Sequence, residues 1–141
     1  MLFRSGKWVS PARIEASIKR SIFVPHAMVV GNGRPYPIAL ISPNWPLVRQ
    51  EFPGLPKDVP TDALARREDV HAFLAHEVHK QTRGLASYEQ IRRVIVVPHE
   101  FSVEGGELSP SMKIKRRVVE RRYADEIELA YHGEAPIPAV L

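Results

Sequence analysis

Residues 106–131, GELSPSMKIKRRVVERRYADEIELAY, decide the predicted fold of the C-terminal part of the chain. Their apolar residues recur every three or four positions; they are Ile114, Val118, Val119, Tyr123, Ile127, Ala130 and Tyr131. This spacing predicts one helix over residues 114–131 that packs on a core through that stripe. The Ser-Pro-Ser segment at residues 109–111 is predicted to start the helix, because hydroxyls cap free N–H groups and proline suits a first turn. Lys113 is then expected on the exposed connection just before the helix.

Upstream, a Ser10 cap and Pro11 predict a helix that runs to about residue 21, with Ile14, Ile18 and Ile22 facing inward. Next come two β-branched runs, residues 27–30 and 37–41, separated by a Gly-Asn-Gly turn. This pattern predicts a β-hairpin.

The middle of the chain predicts a short helix at residues 45–52, a proline-rich loop at 53–60 and a main helix at 68–82. Residues 91–97 read as a buried strand, and residues 101–103 and 107–108 as a second small hairpin. Residues 135–141, with two prolines, are predicted to be a flexible tail.

Together these elements follow the order β-α-β-β-α-β-β-α. We therefore expect an α+β fold, with a small, mostly antiparallel sheet flanked by helices in a single domain over residues 1–134. A length of 141 residues agrees with one domain.

The amino-acid composition limits the kinds of functional site that the chain can contain. The chain has no cysteine, so thiolate metal sites and cysteine nucleophiles are excluded. No apolar run of 18 residues is present, and we expect a cytoplasmic protein, with or without peripheral attachment to a membrane. The net charge of +4 permits polyanion binding, since residues 113–122 hold six basic residues and one acid. Such a face is usually just solvated.

Four stretches, in order, resemble the C-terminal domain of long-chain acyl-CoA synthetases, the AMP-forming fatty-acid–CoA ligases. Residues 107–117, ELSPSMKIKRR, resemble that family's last motif, G-E-L-T-P-T-L-K-x-K-R. Residues 5–15, SGKWVSPARIE, resemble its G-K-x-V-x-P-x-x-I-E stretch, which follows the hinge between two domains. Residues 27–42 and 85–97 are similar to further family segments, so the resemblance covers almost the whole chain.

The resemblance implies roles for individual residues. Lys113 matches the adenylation lysine, and Ser5 and Gly6 match a loop that lines the channel for the pantetheine arm of CoA. Lys115 and Arg116 would face phosphate groups.

No metal ligand is expected on this chain. Three histidines at residues 71, 76 and 79 are interpreted as solvated, because they spread around the helix and lack a carboxylate that would complete a metal site.

The resemblance also implies partners. The complete enzymes use ATP, Mg²⁺ and CoA to activate a fatty acid, and bind them mainly through a large adenylation domain that this sequence does not contain. That domain is the expected partner, and self-association of the isolated chain is a further expectation. The alternative is a stand-alone module that binds anions or nucleic acid through the basic helix at residues 114–131. The ordered motifs favour the ligase domain, so nucleic acid is not the expected partner.

Overall fold

The computed structural model describes residues 1–132. They form a three-stranded sheet with helices on both faces, which confirms the predicted α+β class. The domain boundary at residue 134 and the tail at 135–141 lie outside the described residues. The elements are α1 (Pro11–Ile18), β1 (His26–Val30), β2 (Ile38–Ser42), α2 (Trp45–Gln50), α3 (Thr61–Arg66), α4 (Glu68–Thr82), a 3-10 turn (Ser87–Glu89), β3 (Arg93–Val96), α5 (Arg116–Arg122) and α6 (Ala124–His132).

The sheet has the order β1-β2-β3 and is mixed rather than mostly antiparallel. β1 and β2 form the predicted hairpin, with Met28 opposite Leu40. β3 pairs with β2 in the parallel direction, with Leu40 beside Ile95. A parallel pair needs a long crossover, and the helices α2, α3 and α4 in residues 43–92 supply it. The predicted strand before α1 is reduced to one bridge between Leu2 and Trp8.

Alternation along the strands divides the core between the two faces of the sheet. On one face, Ala39 and Ile41 of β2 pack with residues of α1 and α4. On the other, Ile38 and Leu40 pack with residues of α5 and α6. Because all four are fully buried, the sheet is a central layer, and neither face is open to solvent along β2.

The first helix starts as predicted and ends early. Ser10 caps α1 by accepting from the Arg13 N–H, and Pro11 is its first residue. The helix stops at Ile18, and the buried Ser21 hydroxyl bonds to Glu77 and to the Phe23 N–H as the chain turns. Ile22 therefore leaves the buried stripe and is 70% exposed, so its predicted inward orientation is wrong.

The single helix predicted over residues 114–131 is two helices that meet at Tyr123, where φ is −110°. α5 ends with Arg121 and Arg122, and α6 begins with Asp125 and Glu126 in its first turn. Basic residues favour a helix C-terminus and acidic residues an N-terminus, so the change of charge sign stabilises a break here.

The predicted hairpin between residues 101–103 and 107–108 is absent as a strand pair. Residues 103–106 form a tight turn, with the Gly106 N–H donating to the Val103 carbonyl over 3.1 Å. Leu108 instead forms an antiparallel bridge with Ile114. Among the described residues, no helix is long and apolar enough to cross a membrane.

Candidate functional site

A short hairpin of residues 107–115 replaces the predicted helix start. Its two arms meet in the Leu108–Ile114 bridge. At its base, the Lys115 N–H donates to the Glu107 carbonyl over 2.7 Å. Only after this 107–115 hairpin does α5 begin, so the Ser-Pro-Ser segment forms a chain reversal and not a helix N-terminus.

Lys113 directly follows the turn at the tip of this hairpin. The Met112 N–H donates to the Ser109 carbonyl over 2.8 Å, and the Ser109 N–H donates to the Lys113 carbonyl over 2.7 Å. The Lys113 N–H donates to the Ser109 hydroxyl oxygen over 3.2 Å. Met112 has a φ of 66°, the left-handed conformation that closes three-residue hairpin loops and that usually falls to glycine. The lysine backbone is therefore fixed on both its N–H and its carbonyl side.

The Lys113 side chain is exposed. Across residues 1–132, its ammonium group forms no hydrogen bond or ion pair. A flexible ammonium on a fixed backbone can reach a phosphoryl group outside its own domain, and its three N–H donors can follow charge that develops there.

The carboxylate of Glu107, at the base of the hairpin, is almost completely buried, with the residue 1% exposed. One of its oxygens accepts from His99 Nε2 and from the Arg122 guanidinium, each over 2.8 Å. The other accepts from the Ser102 N–H over 3.1 Å. Burial alone would raise the pKa of Glu107, but the hydrogen bonds from His99 and Ser102 outweigh burial and hold that pKa below its usual value.

Arg122, in the last turn of α5, bonds to the backbone beside Glu107 as well as to the Glu107 carboxylate. The same terminal nitrogen that binds Glu107 also donates to the Gly105 carbonyl over 2.7 Å. We call Glu107, His99, Ser102 and Arg122 the Glu107 cluster. The sequence predicted no role for Glu107 or Arg122. No local pattern identifies them, because the partners come from three separate segments.

Ser5 and Gly6 lie in a tight loop at residues 3–7. Gly6 has a φ of +90°, and its N–H donates to the Phe3 carbonyl over 2.9 Å. No atom lies within 4 Å of the position that a Cβ on Gly6 would take. A glycine is thus required here by backbone conformation, and the space beside it is open to solvent.

The structure does not join this loop to the hairpin. Within the described residues, no hydrogen bond or ion pair links residues 3–7 to residues 107–115. Lys7 lies over the ring of Tyr88, with its Nζ 5.2 Å from the ring centre. The next residue, Trp8, is 73% exposed.

Of the other two candidate cations, Lys115 is exposed at the end of the hairpin, and Arg116 forms an ion pair with Glu15 of α1. The other oxygen of Glu15 accepts from the Val29 N–H of β1 over 2.7 Å. Arg116 is thereby tied to the first helix and keeps a partly exposed guanidinium.

Arg116 also borders a groove of about 610 Å³ between the start of α1, the end of β1 and the helices α5 and α6. Neither Lys113 nor Ser5, Gly6 or Lys115 lines it. The lining residues are Met1, Ser10, Pro11, Ala12, Val29, Val30, Gly31, Asn32, Arg34, Arg116, Glu120, Ala124, Ile127, Glu128 and Tyr131.

The three histidines of α4 differ in their surroundings. His76 is exposed, as predicted, and His79 is partly buried. His71 is buried, and its Nε2 lies 2.8 Å from the Val94 carbonyl, so its predicted solvation is wrong. Among residues 1–132, no group of three histidine, aspartate or glutamate residues could hold a metal ion.

Comparisons with known proteins identify the family of the chain. The family model for the C-terminal domain of AMP-binding enzymes matches residues 1–135. The chain therefore belongs to the AMP-binding enzyme C-terminal domain family.

Among curated proteins, the long-chain-fatty-acid–CoA ligase FadD15 of Mycobacterium tuberculosis is 30% identical over 92% of this chain and 22% of its own length. Long-chain-fatty-acid–CoA ligase 1 of Schizosaccharomyces pombe is 28% identical over 91% of the chain and 20% of its own length. This chain thus spans about a fifth of these ligases.

Among solved structures, the A domain of a carboxylic acid reductase from Segniliparus rugosus, in complex with AMP and a carboxylic acid, superposes with a TM-score of 0.77. It is 28% identical, and the match covers 96% of this chain and 20% of that one. The described fold is therefore that of the small domain of adenylate-forming enzymes.

Proposed function

We propose that this chain is the mobile C-terminal domain of an AMP-forming fatty-acyl-CoA ligase, and that Lys113 supplies the cation for adenylation. The observation that carries the proposal is the exposed Lys113 ammonium beside the turn of the 107–115 hairpin, which has no hydrogen bond or ion pair among residues 1–132. The resemblance of residues 107–117 to the family motif supports the role, because Lys113 matches the adenylation lysine of that motif. In the complete enzyme, ATP, Mg²⁺ and CoA would be bound mainly by a large adenylation domain, which is the proposed partner.

In the first half-reaction, a fatty-acid carboxylate attacks the α-phosphorus of ATP to give an acyl-adenylate and pyrophosphate. Negative charge grows on the phosphoryl oxygens as the new P–O bond forms. An ammonium held near those oxygens by a fixed hairpin stabilises this charge without reorganisation of the site. Lys115 and the exposed part of Arg116 would add positive potential to the same surface.

In the second half-reaction, the CoA thiol attacks the acyl-adenylate and AMP leaves. We propose that the loop with Ser5 and Gly6 then lines the path of the pantetheine arm. The open space beside Gly6 supports this role, because a chain-like ligand could pass close to its backbone.

The test measures each half-reaction separately, by single-turnover kinetics of the chain reconstituted with a large adenylation domain. Lys113→Ala should slow adenylate formation about 10²- to 10³-fold, the scale of losing one preorganised charge-stabilising donor. It should leave the transfer of a supplied acyl-adenylate to CoA nearly unchanged. Arg117→Ala removes one exposed positive charge from the same stretch and is the matched control. If Lys113→Ala slows both half-reactions equally, or slows neither of them, Lys113 is not the adenylation lysine.

Gly6→Leu should impair thioester formation and spare adenylation. Gly6→Ala is its matched control, since both variants put a side chain on a left-handed residue but only leucine fills the space beside it. If both variants slow transfer to the same degree, backbone strain rather than a blocked channel is the cause.

A second candidate is the C-terminal part of the adenylation domain of a carboxylic acid reductase, which the likeness to the Segniliparus rugosus structure favours. Both candidates share the adenylation step and differ in the fate of the acyl group. Formation of acyl-CoA by the reconstituted enzyme supports the ligase. Adenylate formation with no acyl-CoA after addition of CoA supports the reductase.

A further inference from the structure

The 107–115 hairpin is too small to hold its own shape. It has a single bridge between its arms, and isolated two-stranded hairpins are marginally stable in water. Its tip also carries Met112 in a left-handed conformation, which costs free energy for a residue with a side chain. Other parts of the molecule must therefore keep the Lys113 backbone in place.

Two anchors are present at the base. Leu108 is fully buried in the core beneath α5 and α6. Beside it, the Glu107 carboxylate accepts three hydrogen bonds, from His99, Ser102 and Arg122. Burial of Leu108 fixes how deeply the base of the hairpin sits in the core. The hydrogen bonds of the Glu107 carboxylate are directional, so they fix the orientation of the hairpin.

The cluster also links the hairpin to segments on either side of it. Ser102 and His99 precede the Gly105–Gly106 turn, and Arg122 belongs to the last turn of α5. Arg122 holds the carbonyl of Gly105 as well as the carboxylate. The chain before the hairpin and the helix after it thus converge on one buried oxygen pair.

We infer that Glu107 is a positioning residue for Lys113, holding the hairpin so that the lysine is presented in one orientation. The inference rests on the proposed function, because only a reacting lysine needs such control. The negative charge is essential to it. A glutamine at residue 107 would turn an amide N–H₂ toward His99 or Arg122, which are themselves donors, or lose the Ser102 bond.

The first experiment tests the positioning in the full chain without any activity assay. Amide hydrogen exchange is measured in Glu107→Gln at the three N–H groups that donate to carbonyls within the hairpin itself, those of Ser109, Met112 and Lys115. These amides should exchange about ten- to a hundredfold faster than in the unmodified chain, the scale of losing a hydrogen bond to a charged group.

Glu77→Gln is the matched control. Glu77 is also a buried carboxylate, paired with Lys80 and the Ser21 hydroxyl, but it lies on α4 and packs on the other face of the sheet. It should leave the three hairpin amides unchanged. Unchanged exchange in Glu107→Gln, or equal acceleration in Glu77→Gln, would overturn the inference.

Should Glu107→Gln fail to fold, Arg122→Gln carries the same test. It removes one donor and leaves Glu107 bonded to His99 and Ser102. The same three amides should exchange faster, by about tenfold. No change at those amides would count against the cluster as the holding device.

The second experiment is a double-mutant cycle in the reconstituted enzyme. Glu107→Gln should slow adenylate formation about tenfold or more when Lys113 is present, and less than about twofold in the Lys113→Ala background. Equal slowing in both backgrounds would mean that Glu107 acts independently of the lysine, and would overturn the inference. If Lys113→Ala alone has no effect, the proposed function fails, while amide exchange still decides whether Glu107 holds the hairpin.

Discussion

At the scale of single residues, His71 is a buried histidine whose Nε2 bonds to the backbone of β3. Its Nε2 must carry a proton to donate to the Val94 carbonyl, so its buried Nδ1 keeps a lone pair, and this atom has no hydrogen-bond partner among residues 1–132. Burial lowers the pKa of His71, and the bond to Val94 opposes this only in part. The folded state therefore excludes a proton that the unfolded state accepts.

This difference predicts a loss of stability in mild acid. Above the unfolded pKa of about 6.5 both states are neutral at this residue, and the full stability is present. As pH falls through that value, only the unfolded chain binds the proton, and the free energy of unfolding should drop by up to about 1.4 kcal/mol per pH unit. Urea unfolding from pH 7.5 to 5 measures this slope. In His71→Gln the slope of the free energy of unfolding against pH should be shallower by up to about 1.4 kcal/mol per pH unit, the contribution of one proton.

His76→Gln is the control on the same helix, since His76 is exposed. It should keep the slope of the unmodified chain. Burial also lowers the pKa of His26, but that contribution is present in all three proteins and cancels in the comparison. A slope in His71→Gln equal to that of the control would contradict the prediction.

At the scale of elements, helix side chains cap both edges of the described sheet. Glu15 of α1 accepts the outward N–H of Val29 in the edge strand β1. His71 of α4 bonds the Val94 carbonyl in the other edge strand, β3. Such caps pair backbone groups that would otherwise remain buried and unsatisfied, and they block pairing with a further strand.

The cap on β1 predicts a contrast between the two partners of one ion pair. Glu15→Ala leaves the buried Val29 N–H without an acceptor and should lower the free energy of unfolding by about 1–3 kcal/mol. Arg116→Ala leaves the Glu15–Val29 bond intact and removes a partly exposed pair, so it should cost no more than about 1 kcal/mol. Denaturant unfolding of both variants checks the order, and equal losses would show that the ion pair rather than the cap matters.

At the scale of the whole molecule, we expect the isolated chain to fold without activating fatty acids. The described residues bury a core on both faces of the sheet, whereas the sequence contains no glycine-rich phosphate loop. Circular dichroism should show a cooperative transition, and ATP/pyrophosphate exchange with palmitate should stay at background. Exchange above background that disappears in Lys113→Ala would contradict this expectation.

We expect docking to a large domain to cover residues 5–8 and residues 107–115, where Trp8 and Met112 are exposed apolar side chains. The chain has two tryptophans, and the other, Trp45, is 4% exposed. Acrylamide should therefore quench Trp8 strongly in the isolated chain and weakly after docking. Self-association through the same residues should protect Trp8 in a concentration-dependent manner.

Trp45→Phe isolates the signal of Trp8, and Trp8→Phe is the reciprocal control, which should show little quenching in either state. Binding that leaves Trp8 fully open to acrylamide would place the docking surface elsewhere.

The sequence by itself determined the elements whose signals are local. Ser10 and Pro11 mark the start of α1 because a cap and a first-turn proline act within four residues. The hairpin of β1 and β2 follows from two β-branched runs and a short turn, and α4 occupies residues 68–82 as the apolar spacing predicts. The family motifs likewise identified Lys113 as a candidate from adjacent residues alone.

The break between α5 and α6 also has a local signal in the sequence, which the prediction of a single helix did not take into account. The run of Arg121 and Arg122, followed by Asp125 and Glu126, is the charge pattern of one helix ending and another beginning. The apolar stripe continues through Tyr123, so periodicity alone predicted a single helix across the break.

The tertiary structure decided what depends on distant partners. The parallel direction of β3, the burial of His71 and the exposure of Trp8 and Ile22 follow from how separate segments pack. The same holds for Glu107, whose bonds to His99, Ser102 and Arg122 form only when a loop and a helix converge. Periodicity and capping act over a few residues, whereas burial and hydrogen bonding of a side chain are set by whatever the folded chain brings beside it.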